Sequence, residues 1–405
     1  MSEITLLPTY APELFVDRER ETALVSGLVR QMVEPVRPAN RTVVFSGERG
    51  SGKTWLALHL KRTLLPALFR EVPGRAFLIA MFSLSGAEAR LETDEWVRNE
   101  AAIQSQQHER TMREILEWFC QQLGTAIAAD ASLSELSAWL ARDVRNKYEN
   151  KVFVLLVDSI FETDWKLTAD LEKYLLRELA AIPHVIIVLT GRGRPYQWVS
   201  PYLRVNKEEA RLAAFDPNQT REQLSRQLPT KVEDADIIYK TGGGHPLTNF
   251  LLAQGNLSVE TLNDTINTLL GVVRDDQREI IRSYFEALCV LDGFREDEIG
   301  PMLAVRLKND EYRRWPTSRI RQVRDELLET HLMRWRDGLY RIDTSIKRVI
   351  ESWLESDNPN LWRKLHEQAY QLYHEWAGLY PKANEYYQNL ANQHQLAITV
   401  REHNQ

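Results

Sequence analysis

One short segment carries the clearest chemistry in the sequence. GERGSGKT, at Gly47–Thr54, fits the pattern GxxxxGK[ST] completely and lies between a predicted strand and a predicted helix. Glycines let the backbone curl so that successive N–H groups point at one phosphate, and the helix that follows adds the positive end of its dipole. Lys53 would place its ammonium on the β- and γ-phosphates, and Thr54 would offer its hydroxyl to Mg²⁺.

The predicted ligands of this segment are therefore ATP or ADP with Mg²⁺. The alternative is a chance match in a glycine-rich turn. The predicted nucleotide-binding residues of the segment are Gly47, Glu48, Arg49, Gly50, Ser51, Gly52, Lys53, Thr54 and Trp55.

Acidic side chains follow the apolar segment Val152–Val157, which is too short for a helix and is typical of a fully buried parallel strand. Asp158 comes directly after it, where a P-loop enzyme holds Mg²⁺ through water. Glu162 and Asp164 come next, and either could orient or deprotonate the attacking water. These carboxylates could instead cap the helices that follow them. The sequence thus predicts Thr54 and Asp158 as metal-site residues and leaves the catalytic base open.

A third apolar strand, His184–Thr190, is followed by two arginines, Arg192 and Arg194. An arginine at the tip of this strand could detect a γ-phosphate through a charge-assisted hydrogen bond. Arg192 is the better candidate because it lies nearer the strand. The alternative is a solvated surface loop with two arginines. The predicted catalytic residues are Lys53, Asp158, Glu162, Asp164 and Arg192.

The elements that must position these residues alternate between strand and helix. Strands separated by helices predict βαβ units, and hence an α/β fold with a parallel sheet and helices on both faces. We assign residues 1–225 to this P-loop NTPase domain, of the ASCE or AAA-like type. The five predicted strands are Arg41–Ser46, Ala76–Leu84, Val152–Val157, His184–Thr190 and Ala210–Phe215.

Helices dominate the second half of the chain. We predict a helical lid at residues 226–274, a winged-helix domain at 275–355 and a helical tail at 356–405. The winged helix is indicated by three helical segments followed by two short strands around Asp337-Gly338, a strong hairpin signal. The three helical segments are Gln277–Leu291, Glu296–Leu307 and Ser318–Thr330.

Composition restricts the class of protein. The 57 acidic and 51 basic residues give a net charge of −6, so no overall attraction to nucleic acid is expected. No segment reaches the ~18 consecutive apolar residues of a membrane span, and the N-terminus lacks the pattern of a signal peptide. Two cysteines, Cys120 and Cys289, are too few for a disulfide framework. We therefore expect a cytoplasmic protein without membrane contact.

These segments together resemble the STAND class of AAA-related P-loop ATPases, with its NACHT and NB-ARC modules, over about residues 12–350. Phe15–Glu21 (FVDRERE) is similar to the FVGRE-type segment that borders the adenine, with Asp17 in place of the usual glycine. The resemblance implies that Val16 and Arg18 contact the nucleotide. Ser159 departs from the second aspartate that is common after the metal-binding one.

Further motifs follow in the order expected of that class. Thr190-Gly191-Arg192 looks like the sensor motif TSR, with glycine for serine. Gly244-His245-Pro246-Leu247 looks like the GxPL motif of the lid, which implies that His245 and Pro246 bind the nucleotide, the proline packing on the adenine. Ile342-Asp343 stands where relatives often carry a histidine-aspartate pair, so a nucleotide contact from that pair is not expected.

The resemblance implies a signalling or defence switch that binds ATP, hydrolyses it slowly, and changes conformation and oligomeric state with the nucleotide. Its protein partner or effector would act in trans, and it would form a homo-oligomer. Two alternatives stay open. One is a DNA-binding AAA+ ATPase of the origin-binding or transposition-regulator type, whose recognition helix Ser318–Thr330 would use Arg319, Arg321 and Arg324. The other is a scaffold that binds nucleotide without turnover.

Overall fold

The computed structural model describes most of the chain and divides it into two compact units, residues 1–213 and 214–405. Asp164, one of the two candidates for the catalytic base, lies outside the described residues. The described residues are 9–32, 34, 38–71, 76–84, 96–97, 108–147, 149, 151–163, 165–192 and 196–404.

The first unit is built on a six-stranded sheet whose neighbouring strands are all parallel. The spatial order of the strands is β3-β2-β4-β5-β1-β6, so β5 separates the strand that leads into the P-loop from the strand that ends in Asp158. This arrangement confirms the predicted α/β fold of a P-loop NTPase. The strands are β1 Thr42–Gly47, β2 Ala76–Ser83, β3 Trp96–Val97, β4 Lys151–Asp158, β5 Val185–Arg192 and β6 Lys207–Arg211.

Helices cover both faces of this sheet, because alternate residues of a buried strand point to opposite sides. On β4, Val154 and Leu156 pack with α1 (Glu19–Gln31) and α2 (Lys53–His59) in one core. Phe153 and Leu155 of the same strand belong to the core on the other face. The helices of that second layer are α4 His108–Gln122, α5 Leu133–Lys147, α6 Trp165–Leu171 and α7 Arg177–Ala180, whereas α3 Leu65–Glu71 extends α2 and α8 Pro201–Val205 precedes β6.

Irregular turns complete the first unit. The π-helical turns Leu60–Leu64 and Glu172–Leu176 join α2 to α3 and α6 to α7, and 3-10 turns cover Pro12–Leu14 and Ile160–Glu162. The fifth predicted strand, Ala210–Phe215, was wrong in position, because β6 ends at Arg211. β6 is a polar edge strand that pairs only with β1 among the described strands, whereas Leu212 and Phe215 are buried in the segment that follows it.

The second unit is helical apart from one hairpin, which confirms the predicted winged helix and helical tail. β7 (Met333–Arg336) and β8 (Leu339–Ile342) pair antiparallel. Asp337 and Gly338 join them with φ of 54° and 79°, the left-handed pair that a tight hairpin turn requires. The helices are α9 Pro217–Gln227, α10 Ala235–Gly242, α11 Pro246–Gln254, α12 Val259–Leu269, α13 Asp275–Leu288, α14 Glu296–Leu307, α15 Thr317–Glu329, α16 Thr344–Asp357, α17 Pro359–Leu379 and α18 Asn384–Asn404.

One hydrophobic core runs through this unit. It includes Leu224 of α9, Ile266 of α12, Phe285 of α13 and Tyr373 of α17, so the predicted lid, winged helix and tail share buried surface. The division of these parts at residues 225, 274 and 355 stays a prediction. Among the residues that the structure describes, no helix combines the length and the apolar character of a membrane span.

Candidate functional site

The P-loop lies between β1 and α2, and glycine is required at two of its positions and favoured at a third. Gly50 and Gly52 have φ of 75° and 90°, in the left-handed region that residues with a Cβ avoid. A Cβ on Gly47 would lie 2.5 Å from the hydroxyl oxygen of Ser51. The loop can therefore curl tightly enough to present its amides at the N-terminus of α2, which begins at Lys53.

Polar atoms of this loop are arranged as a phosphate cradle. Lys53 is only 6% exposed, and its Nζ donates hydrogen bonds to the carbonyls of Gly47 (3.3 Å) and Glu48 (2.7 Å). The hydroxyl oxygen of Ser51 is buried and has no hydrogen-bond partner among the described residues. A buried ammonium and an unsatisfied hydroxyl in one turn fit a phosphate group, since both can donate to its oxygens.

Asp158, at the end of β4, is surrounded by hydroxyl groups. Thr54 donates to its Oδ2 at 2.9 Å, Ser83 at 3.1 Å and Ser159 at 3.2 Å, and Thr190 donates to its Oδ1. The carboxylate is buried, and hydroxyl donors hold it in place without neutralising its charge. The hydroxyl oxygen of Thr54 and the carboxylate of Asp158 are hard oxygen donors of the kind that Mg²⁺ prefers, and they lie side by side.

Ser83 was missed by sequence reasoning, although it is the polar residue at the end of a predicted apolar strand. In the sheet its Cα is the register partner of Asp158, across the β2–β4 pair. Sequence could have drawn attention to it as a hydroxyl at a strand's carboxyl end. That Ser83 lies beside Asp158 depends on the strand order, which the sequence did not provide.

The candidate base and the candidate sensor form an ion pair. Arg192 Nε lies 3.2 Å from Glu162 Oε1, and each side chain is 12% exposed. Burial raises the pKa of the Glu162 carboxyl and the Asp158 charge acts in the same direction, whereas Lys53 and Arg192 oppose this shift. The other carboxylate oxygen of Glu162, Oε2, is buried without a hydrogen-bond partner among the described residues. Such a carboxylate can accept a proton more readily than an exposed one.

Gly191 has a local reason to replace the serine of the sensor motif. A Cβ at this position would lie 2.3 Å from Cδ2 of Phe161, a contact that no side chain can make. Phe161 belongs to the turn Ile160–Glu162 and packs against Trp198. The small residue thus lets the turn that carries Glu162 lie directly against the end of β5.

Arg18 supports the P-loop from outside. It is 4% exposed, and it donates from Nη2 to the carbonyl of Ser51 and from Nη1 to that of Ala213, both at 2.8 Å. Burial lowers the pKa of its guanidinium. Val16 is also buried. Both residues lie just before α1, and the two carbonyls that accept from Arg18 belong to the P-loop and to the segment after β6.

An aromatic group that the sequence did not predict lies beside Trp55. The ring of Tyr10 meets that of Trp55 edge-on, with centroids 5.8 Å apart, and Phe15 stacks on His59 at 4.0 Å. Tyr10 also exchanges a hydrogen bond with His59 Nδ1 over 3.1 Å. These contacts hold the segment before α1 against α2, and so beside the P-loop.

Among the outer P-loop residues, Glu48 forms an ion pair with Arg211, with 2.9 Å between the carboxylate and the guanidinium.

His245 and Pro246 belong to the second unit, at the start of α11. His245 Nδ1 lies 2.9 Å from Thr248 Oγ1, in an N-cap arrangement. A Cβ on Gly244 would lie 1.9 Å from the carbonyl oxygen of Phe215, which explains the glycine of this motif. Asp343, of the Ile342-Asp343 pair noted in the sequence, forms an ion pair with Arg334, whose Nη2 lies 2.8 Å from Asp343 Oδ1. The predicted contact of His245 and Pro246 with a nucleotide stays a prediction.

Comparison with known structures found similar chains of low sequence identity. A Walker-type ATPase of Pyrococcus abyssi is 15% identical over 85% of this chain and 98% of that one, with a TM-score of 0.48. The ORC1 protein of Aeropyrum pernix, solved in complex with DNA, is 13% identical over 88% and 97%, with a TM-score of 0.44. A STAND protein of Pyrococcus horikoshii with a tetratricopeptide repeat sensor is 14% identical over 97% of this chain and 54% of that one, with a TM-score of 0.35. Neither a protein-family model nor a curated protein matches the chain.

Proposed function

We propose that this chain is an ATPase that binds ATP and ADP with Mg²⁺, hydrolyses ATP slowly, and works as a cytoplasmic signalling or defence switch of the STAND class. The observation that carries the enzymatic part is the contact between the Thr54 hydroxyl and the Asp158 carboxylate at the end of the P-loop. A glycine-lined anion cradle beside a hydroxyl–carboxylate pair suits a nucleotide polyphosphate and its metal ion.

The phosphate contacts are assigned to the backbone amides of residues 47–54, to Lys53 and to the Ser51 hydroxyl. Lys53 would exchange the two loop carbonyls that it now contacts for phosphate oxygens, which carry more negative charge. Thr54 and Asp158 would hold Mg²⁺, which neutralises charge on the phosphates when bound. Val16, Arg18, Trp55, His245 and Pro246 complete the proposed nucleotide-binding set.

Glu162 is our candidate for the catalytic base. It is buried close to Asp158 and Lys53, and burial raises the pKa of its carboxyl toward the range in which a base works well. Arg192, at the end of β5, is our candidate for the residue that detects the γ-phosphate by a hydrogen bond. Asp164 remains a second candidate for the base from the sequence.

The switch part of the proposal concerns conformation and partners. A nucleotide shifts an equilibrium only by its difference in affinity for the two states. We propose that ADP favours a compact monomer and that ATP with Mg²⁺ favours an open form that associates into a homo-oligomer. A separate protein partner or effector would act with it in trans.

DNA binding by the winged helix is the second candidate function. Its support is the exposed Trp335, 55% exposed at the wing, next to Arg336. The arginines of α15 point to a different role, because Arg321 and Arg324 both pair with Glu296 of α14. Arg319 lies over the ring of Trp315, 5.6 Å from its centroid. Basic side chains that are paired in this way are less available to phosphates, so DNA is not favoured.

Four measurements on the purified chain test the proposal. Calorimetry with ADP and with ATP analogues, with and without Mg²⁺, should detect binding, and phosphate release should detect slow turnover. Light scattering and small-angle scattering should show larger mass and size with ATP and Mg²⁺ than with ADP. Absence of binding would contradict the whole proposal. Binding without turnover would favour the scaffold, and salt-dependent binding to a DNA duplex would favour the second candidate.

A further inference from the structure

Ser159, the residue that directly follows Asp158, has an unfavourable backbone conformation. Its φ of 60° and ψ of 33° lie in the left-handed region, where a residue with a Cβ is destabilised relative to glycine. Asparagine and aspartate tolerate this region better than serine does. The residue is also buried, with 5% of its surface exposed. Backbone strain of this kind persists where the surrounding structure requires the residue that carries it.

Two hydrogen bonds of Ser159 lead to the Asp158 carboxylate. Ser159 Oγ donates to Asp158 Oδ2 over 3.2 Å, and the backbone N–H of Ser159 donates to Thr190 Oγ1 over 3.4 Å. Thr190 in turn donates to Asp158 Oδ1. Ser159 therefore acts on one carboxylate oxygen directly and on the other through Thr190. A carboxylate at position 159 would place a second negative charge beside Asp158 in place of this donor.

Two further hydroxyls complete the surroundings of the Asp158 carboxylate. Thr54 and Ser83 donate to Oδ2 at 2.9 Å and 3.1 Å. The two oxygens of a carboxylate offer about four acceptor positions, which these four hydroxyl donors can fill. Of the four donor residues, only Ser159 has a positive φ. Its hydroxyl is thus the one whose placement is coupled to backbone strain.

We propose that Ser159 is a positioning residue for the metal ion, and that its strained backbone is retained because its hydroxyl fixes the orientation of the Asp158 carboxylate. The inference rests on the proposed function, in which Asp158 holds Mg²⁺. Hydrogen-bond partners of a metal-binding carboxylate orient its oxygens, and the loss of one such partner lowers metal affinity by about tenfold or more. Removal of the Ser159 hydroxyl therefore weakens metal binding, whereas removal of its Cβ relieves strain.

Two substitutions separate the hydroxyl from the backbone strain. Ser159→Ala removes the hydroxyl and keeps the Cβ, whereas Ser159→Gly removes both. Each should weaken Mn²⁺ binding to the protein–ADP complex by about tenfold, as measured from the electron paramagnetic resonance signal of free Mn²⁺. Neither should change the affinity for ADP without a metal by more than about twofold. In urea, the unfolding equilibrium constant of Ser159→Gly should be lower than that of Ser159→Ala by about fivefold or more.

Lys308 provides the matched control, because it is exposed at the end of α14 in the second unit and has a φ of 53°. Lys308→Ala and Lys308→Gly should show the same order of stability, with wild-type Mn²⁺ binding. Circular dichroism checks folding, and Ser159→Gly carries the metal measurement if Ser159→Ala does not fold.

The pattern of Mn²⁺ affinities decides the question. If both Ser159 variants bind Mn²⁺ as the wild type does, the serine has a structural role alone, and the inference is overturned while the proposed function stands. Weaker binding in the glycine variant alone would come from added backbone freedom and would overturn the inference as well. If the wild-type protein with ADP binds no Mn²⁺, the metal site of the proposed function fails together with the inference.

Discussion

Thr54 Oγ1 donates a hydrogen bond of 2.9 Å to Asp158 Oδ2, although 104 residues separate them in the chain. The contact exists because α2 starts at the carboxyl edge of the sheet, where β4 also ends. The carboxyl ends of parallel strands lie at one edge of the sheet, and ligands of open α/β sheets bind at that edge. The hydroxyl and the carboxylate that are proposed to hold Mg²⁺ are thus preassembled.

Asp158→Asn should abolish most Mg²⁺-dependent ATP hydrolysis, with a loss of about 100-fold or more, because the amide keeps the shape but not the charge that attracts the metal. Binding of ADP without Mg²⁺ should be retained. Phosphate release across a Mg²⁺ titration measures the first effect, and calorimetry measures the second. Asp130→Asn, at an exposed position, is the matched control. Unchanged turnover at saturating Mg²⁺ would place the metal elsewhere.

Lys53→Ala should weaken both ADP and ATP binding by about 10- to 100-fold, because it removes a charge-assisted contact to phosphate. The fold should persist, since the two carbonyls that accept from Nζ belong to the same loop as Lys53. Calorimetry and circular dichroism measure the two effects. Lys364→Ala, at an exposed position of α17, controls for loss of a lysine. Wild-type affinity in the Lys53 variant would argue against the phosphate cradle.

Gly191→Ala should destabilise the first unit by about 1–3 kcal/mol, because the added methyl overlaps the ring of Phe161. The change should also displace the turn that carries Glu162. Phe161→Leu in the same chain should recover part of the loss, as expected of two residues in contact. Chemical unfolding measures each free energy.

Gly27→Ala is the control for the Gly191 variant. It lies within α1 with nothing within 4 Å of its added Cβ, and it should be neutral or stabilising by about 0.5–1 kcal/mol. Equal effects of the two glycine substitutions would mean that the overlap with Phe161 is relieved at no cost.

The second unit should lose stability in mild acid through His394. Burial, and then the neighbouring His366, lower the pKa of His394 to about 4 from its ordinary value of 6.5. The folded state therefore binds fewer protons than the unfolded state between these values. The contribution of His394 is complete above pH 6.5 and falls by about 3 kcal/mol as the pH decreases to 4.

The structural basis of this pH dependence is a close pair of rings. His366 Nδ1 and His394 Nδ1 are 2.9 Å apart, so one must donate and the other accept, and two charged rings would repel. Urea unfolding of wild type and of His394→Asn between pH 7.5 and 4.5 measures the difference in slope. His374→Asn, at an exposed position of α17, is the control. Equal slopes in wild type and His394→Asn would contradict the assignment.

The sequence by itself determined the parallel α/β fold, the winged helix and the place of the P-loop. These features are encoded locally, because short apolar strands, an Asp-Gly turn and the GxxxxGK[ST] pattern each specify their own backbone over a few residues. The boundary of β6 could not be predicted, because an edge strand with polar residues lacks the apolar pattern of its neighbours.

Only the tertiary structure decided which side chains meet. The contact of Ser83 with Asp158, the ion pair of Arg192 with Glu162 and the overlap that makes Gly191 necessary all follow from the strand order β2-β4-β5-β1. Strand order and register depend on the summed burial of two cores, one on each face of the sheet, and so on residues spread over the whole first unit. A local motif can therefore specify the loop that would bind a phosphate, whereas the partners of that loop depend on how distant strands pack.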